Sequence, residues 1–206
     1  MVFNFSCLFM KGIDNMHNKT EVKEEIVSNP QYTFETFVVS ESNNFAHAAS
    51  IAVAESPCEI YNPLVLYGES GSGKTHLMQA IAHFIMQKHS DKRVLYVHGK
   101  TFANDFAEIT MKTFRNKYRS IDILLVDDIQ PIIKDEDLQV EFFHTFNHLH
   151  SRGKHVIVSS DKSPKDTEGL QNRLRVCLEW GLLADISLSD FETEKVILRK
   201  KEEYNK

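Results

Sequence analysis

Cysteine is scarce in this sequence: Cys7, Cys58 and Cys177 lie far apart, and no two of them share a paired spacing. That scarcity excludes a disulfide framework and a cysteine-based zinc site, and a reducing cytoplasm fits it best. Long apolar runs are missing as well. The stretch from Val2 to Met10 is apolar but short, with no basic region before it and no small-residue cleavage pattern, so it reads as neither signal peptide nor membrane span. Positive charge is in deficit: 24 Lys and Arg against 29 Asp and Glu leave a net charge of −5, so any contact with DNA has to come from a local patch. The ten histidines are scattered, with no pair at a metal spacing backed by acids. There is no internal repeat and no low-complexity tract. What is left, 42% hydrophobic and 26% charged over 206 residues, describes a soluble globular chain long enough for one domain with a sizeable core.

Within that ordinary composition, Gly68 to Thr75 reads GESGSGKT and satisfies the pattern G-x-x-x-x-G-K-[ST] at every fixed position. It follows the apolar run Leu64 to Tyr67 and opens a helical pattern in which Leu77, Met78, Ile81, Phe84 and Ile85 recur at three- and four-residue spacing. Glycines at such positions let the backbone close around a polyphosphate, with N–H groups and the positive end of a helix facing its oxygens. Gly71, Ser72 and Gly73 are therefore expected to line a triphosphate. Lys74 is expected to reach the β- and γ-phosphates, and the Thr75 hydroxyl to bind Mg²⁺.

A second apolar run, Ile121 to Val126, ends in Asp127 and Asp128. A buried parallel strand stopping at the ligand edge of a sheet presents such acids beside the phosphates. Asp127 is expected to join the magnesium shell, and Asp128 to orient or deprotonate the attacking water. A pair of helix-capping aspartates is the competing reading. A third strand, Val156 to Ser159, leads to Asp161, which is either a sensor of the γ-phosphate or a plain turn residue.

Strands are expected at Leu64–Tyr67, Val94–His98, Ile121–Val126, Val156–Ser159 and Ala184–Leu188, with helices between them. Asn43 or Asn44 is expected to cap a helix running to Glu55, and Asp135 to open one carrying Leu138, Phe142, Phe146 and Leu149. This alternation implies an α/β fold with a parallel sheet covered on both faces. Residues 1–30 read as an irregular leader and 31–206 as the core. Lys112 to Arg119 interleaves four cations with Phe114 and Tyr118, which suits either a nucleic-acid contact or a solvated helix face.

The segments Tyr61 to Gly68, Thr75 to Met78, Tyr118 to Asp122, Asp127 to Gln130, Glu141 to Asn147 and Trp180 to Leu182 together resemble the ATPase domain of the DnaA family of bacterial replication initiators. Over residues 30 to 200 this resemblance implies an AAA+ P-loop NTPase core, with ATP as nucleotide and subunits assembling head to tail on DNA. It places the lead-in segment, Tyr32 to Phe37 with Ser42 and Asn43, beside the adenine, so that Asn43 becomes a nucleotide-site residue.

Departures from the family pattern shape the functional expectation. Leu170 to Trp180 matches the family's arginine-rich segment with Arg173 in place, but Cys177 stands where an arginine usually reaches across to the next subunit's ATP. Arg175 faces another side of a helix and is a poor substitute. The region from Phe102 to Phe114 is shorter than the family segment that inserts toward single-stranded DNA. With the sequence ending at Lys206, the lid domain and the DNA-reading domain are expected to be largely missing. The expected function is ATP binding, with weak or absent hydrolysis in isolation, in replication initiation or its regulation. A non-hydrolysing regulatory paralogue acting on an initiator filament and a helicase-loader-like ATPase are the alternatives.

Overall fold

A computed structural model describes residues 29–187; the leader and the segment after Ser187, including Leu188, lie outside them. Five strands, β1 (Leu64–Tyr67), β2 (Val94–His98), β3 (Ile123–Asp127), β4 (His155–Ser160) and β5 (Leu182–Asp185), form one parallel sheet in the order β2-β3-β4-β1-β5. Because helices cover both faces, the strands are apolar on both sides. Leu64, Leu66, Tyr96, Ile123, Leu125 and Ile157 point to one face, packing with α1 (Asn44–Glu55) and α2 (Lys74–Lys88). Val65, Leu95, Val97, Leu124, Val126, Val156 and Val158 point to the other. There they meet α3 (Gly99–Glu108), α4 (Met111–Arg119), the short α5 (Gln130–Ile133), α6 (Glu136–His150) and α7 (Asn172–Glu179).

The signals for α6 act as read. Asp135 caps α6, its carboxylate accepting from Leu138 N at 3.0 Å, and Leu138, Phe142, Phe146 and Leu149 are all buried. Phe102 gathers Phe114, Tyr118 and Phe142 edge to face at centroid distances of 5.0, 4.5 and 5.5 Å, which locks α3, α4 and α6 together.

Three expectations are corrected. Asn43 does occupy the position before α1 but does not cap it. Its carboxamide turns back, accepting from Ser40 N at 2.8 Å and donating to Val38 O at 3.0 Å, so the preceding loop takes the groups a cap would use. β3 begins two residues late and includes Asp127, because the Asp122 amide is drawn to Arg93 O at 2.8 Å. β5 begins at Leu182, two residues early, where Gly181 packs on the Pro63 backbone and Leu182 N donates to Pro63 O at 2.9 Å.

At the opposite end of the sheet from the glycine-rich loop, the first residue of β4 ties down the approach to β1. His155 is fully buried; its Nδ1 accepts from Cys58 N at 3.0 Å and its Nε2–H donates to Tyr61 O at 3.2 Å. Those partners require the neutral ring, and burial pushes its pKa down to about 4. Asn62 continues the seam, donating to Lys154 O at 2.8 Å and accepting from Val156 N at 3.1 Å.

Candidate nucleotide site

β1 delivers the chain to the loop at Gly68, and α2 starts at Lys74. Gly73 has φ +107°, a left-handed conformation, and a Cβ there would lie 3.0 Å from Phe37 Cε2, so the turn requires glycine. The first turn of α2 carries no acid and no side-chain cap, which leaves the positive end of a 15-residue helix facing the loop. Ser72 is 8% exposed, and its buried Oγ has no hydrogen-bond partner among the described residues. A buried hydroxyl in that state costs free energy unless a further acceptor or donor completes it, and a phosphate oxygen has the matching chemistry.

Lys74 is nearly buried. Its Nζ donates to Gly68 O at 2.6 Å and Glu69 O at 2.9 Å and pairs with Asp161 Oδ1 at 3.1 Å. Asp161, just past β4, thus touches the loop lysine. Thr75 lies half-buried on the first turn of α2. Asn43, by contrast, keeps its polar atoms within its own loop. The lead-in segment is anchored to α2 by His76 Nε2 at 2.8 Å from Thr33 O and His83 Nδ1 at 3.1 Å from Tyr32 O.

Asp127 closes β3, 2% exposed, with both carboxylate oxygens engaged: Tyr96 OH donates to Oδ2 at 2.7 Å and Ser159 Oγ donates to Oδ1 at 2.5 Å. Burial, and then the Asp127 charge, drive the Tyr96 phenol far above its ordinary pKa, so it stays a donor. Asp128 follows outside the strand, exposed, with φ +60°. Its N–H donates to Ser159 Oγ at 2.7 Å, and its Oδ1 accepts from Gln130 N at 3.1 Å in a local turn two residues long, while the N-cap of α5, Ile129, has no side-chain cap bond. Gly99 opens α3 against Asp128 O, where any side chain would collide with that carbonyl. Among the described residues no three His, Cys, Asp or Glu gather into a metal cluster. The donors at hand, a threonine hydroxyl and one buried carboxylate, suit a hard divalent cation shared with phosphates rather than a protein-only cage. Tyr96 and Ser159 escaped the sequence reading; the available signals were a tyrosine and a serine inside otherwise apolar strands.

The basic helix resolves differently. Phe114 and Tyr118 are buried in the core, so they offer no stacking platform. Arg115 holds Glu141 with two bonds of 3.0 and 2.9 Å, Arg119 holds the same carboxylate, and Lys117 pairs with Asp105 at 2.9 Å. On α7, Arg173 stacks on Phe143 at 5.2 Å, Arg175 donates to Leu170 O at 3.3 Å, and Cys177 packs partly into the core.

Residues 28–185 match the family model described as the bacterial DnaA ATPase domain. The chain is 56% identical over 191 residues to the chromosomal replication initiator protein DnaA of Lachnoclostridium phytofermentans, covering 89% of this chain and 42% of that protein. It therefore spans less than half the length of that curated relative. Domain III of the Thermotoga maritima DnaA superposes with a TM-score of 0.82 at 43% identity, over 86% of this chain and 75% of that one. A replication initiator DnaA bound to AMPPCP and single-stranded DNA gives a TM-score of 0.77 at 38% identity, over 86% and 56%.

Proposed function

This chain belongs to the bacterial DnaA ATPase-domain family, with its AAA+ P-loop core, and from that premise we propose that it binds ATP with Mg²⁺ in chromosomal replication initiation or its regulation. The observation that carries the proposal is the unpartnered Ser72 hydroxyl in a loop that Lys74 and the uncapped N-terminus of α2 adjoin. In this reading Gly71, Ser72 and Gly73 hold the polyphosphate, and Lys74 exchanges carbonyl acceptors and Asp161 for phosphate oxygens. Thr75 and Asp127 hold Mg²⁺, which when bound neutralises charge on the phosphates. Asp128, clear of the strand, orients or deprotonates water. Asp161 senses the γ-phosphate by being released when Lys74 turns to that phosphate, and Asn43 shapes the adenine side by fixing the loop 38–43.

The relative bound to single-stranded DNA supports contact with a single strand, and the proposed role includes head-to-tail assembly with other initiator subunits. Cys177 at the position of the family's bridging arginine favours a second reading, a regulatory subunit that binds ATP and modulates such an assembly. Titration with a fluorescent ATP analogue in Mg²⁺ tests the primary claim. Lys74→Ala is expected to weaken binding at least tenfold, since a cation facing two phosphates is worth more than ~1.4 kcal/mol. Equal affinity of the two forms refutes the phosphate-loop assignment.

A further inference from the structure

Asp127 takes one hydroxyl from each neighbouring strand. Tyr96 on β2 reaches one carboxylate oxygen and Ser159 on β4 the other, and both side chains are buried. A carboxylate held at both oxygens cannot rotate, and its remaining lone pairs face away from the two hydroxyls. Ser159 does a second job with the same atom: while its proton goes to Asp127, its oxygen accepts the N–H of Asp128. That amide belongs to a non-glycine residue at φ +60°, a conformation uncommon enough to need support from its surroundings. One hydroxyl thus fixes both the acid assigned to the metal and the peptide carrying the acid assigned to water.

We propose that Tyr96 and Ser159 are positioning residues of the nucleotide site, clamping Asp127 for Mg²⁺ and, through Ser159, setting the backbone of Asp128. The inference rests on the ATP–Mg²⁺ reading above and extends it to two residues outside the phosphate-loop pattern. A purely structural pair, a tyrosine and a serine satisfying each other's surroundings, would lower stability when truncated but would leave the metal response unchanged.

The test titrates Mg²⁺ into the full chain with a fluorescent non-hydrolysable ATP analogue, and measures analogue affinity separately in EDTA. Ser159→Ala and Tyr96→Phe are each expected to raise the Mg²⁺ midpoint roughly 10- to 100-fold, the cost usual for losing a hydrogen-bond partner of a metal-binding group. Affinity in EDTA, where the loop alone holds the phosphates, is expected to stay near that of the parent chain, and Ser159→Thr, which keeps the hydroxyl, to restore the midpoint. Unchanged midpoints in both variants, or equal losses with and without Mg²⁺, overturn the proposal. Should Ser159→Ala fail to fold, Tyr96→Phe decides alone, because it keeps the ring and removes only the hydroxyl, with its 2.7 Å bond to Asp127 and the long 3.4 Å bond it accepts from Gln79 Nε2. Failure of the parent chain to bind the analogue in either condition brings down the phosphate-loop reading and this inference with it, whereas parent binding with unresponsive variants sinks this inference only.

Discussion

Acidification is expected to unfold this domain through His155 before its paired carboxylates give way. In the folded chain Nδ1 must accept from Cys58 N, so a proton there sets two donors against each other in a site without water access, and the pKa falls from 6.5 to about 4. An unfolded chain binds that proton at the ordinary value. The stabilisation is therefore fully present above pH 6.5 and is lost as pH falls toward 4. A tenfold change in proton affinity is worth about 1.4 kcal/mol, so the fall from 6.5 to about 4 amounts to about 3–4 kcal/mol. For a domain of this size that is a melting-temperature loss of roughly 6–16 °C.

Other groups can be separated from it. Burial raises Asp122 and Glu141, but their cationic partners win and hold both below the ordinary carboxylate range, so their contributions disappear only at lower pH. Burial also lowers His47 and His148, which add to the same trend without involving position 155. Urea unfolding of the parent and of His155→Gln from pH 7.5 to 4.5 isolates the term. The variant is expected to be less stable at pH 7.5 and distinctly flatter below 6.5. Parallel curves for the two proteins would refute the assignment of a neutral, doubly bonded ring.

Two further outcomes are expected. Phe142→Ala, removing the fully buried ring that packs edge to face on Phe102, should destabilise the chain by about 3–5 kcal/mol in denaturant unfolding, and a cost under ~1 kcal/mol would contradict that packing. Hydrolysis by the chain alone should be slow, because a bridging arginine is worth ~10³ to 10⁵ in rate and Cys177 stands in its place. A phosphate-release assay giving about one turnover per second or more would show that the catalytic parts are misassigned.

The phosphate loop and the strand ending in two acids were legible because their signals are local: fixed glycines, a lysine, an apolar run that stops. The clamp on Asp127 was not, since Tyr96 and Ser159 lie about thirty residues away in opposite directions and arrive only through the parallel register that pairs His98 with Asp127. Asn43 obeyed the composition rule for caps and still failed to cap, because Ser40 N and Val38 O offered its carboxamide nearer partners. In α4 the phenylalanine and tyrosine four residues apart formed a core stripe, which the same letters in a stacking surface would also spell. The start of β5 was set by backbone contact between Gly181 and Pro63, over a hundred residues apart, and no residue type signals that.

The pairing of the α4 cations changes how that helix counts as a polyelectrolyte. Lys112, Arg115, Lys117 and Arg119 bring four positive charges, but Glu141 and Asp105 neutralise two of them in place. A polyanion laid along this helix meets two net charges rather than four and sets free correspondingly few of its condensed counterions. Its salt sensitivity then follows ~0.7 ion per strand contact for two charges rather than for four. To recruit the other cations the ligand first has to evict carboxylates that occupy the same guanidinium edges, so contacts on this helix exchange one protein anion for another and contribute geometry more than attraction.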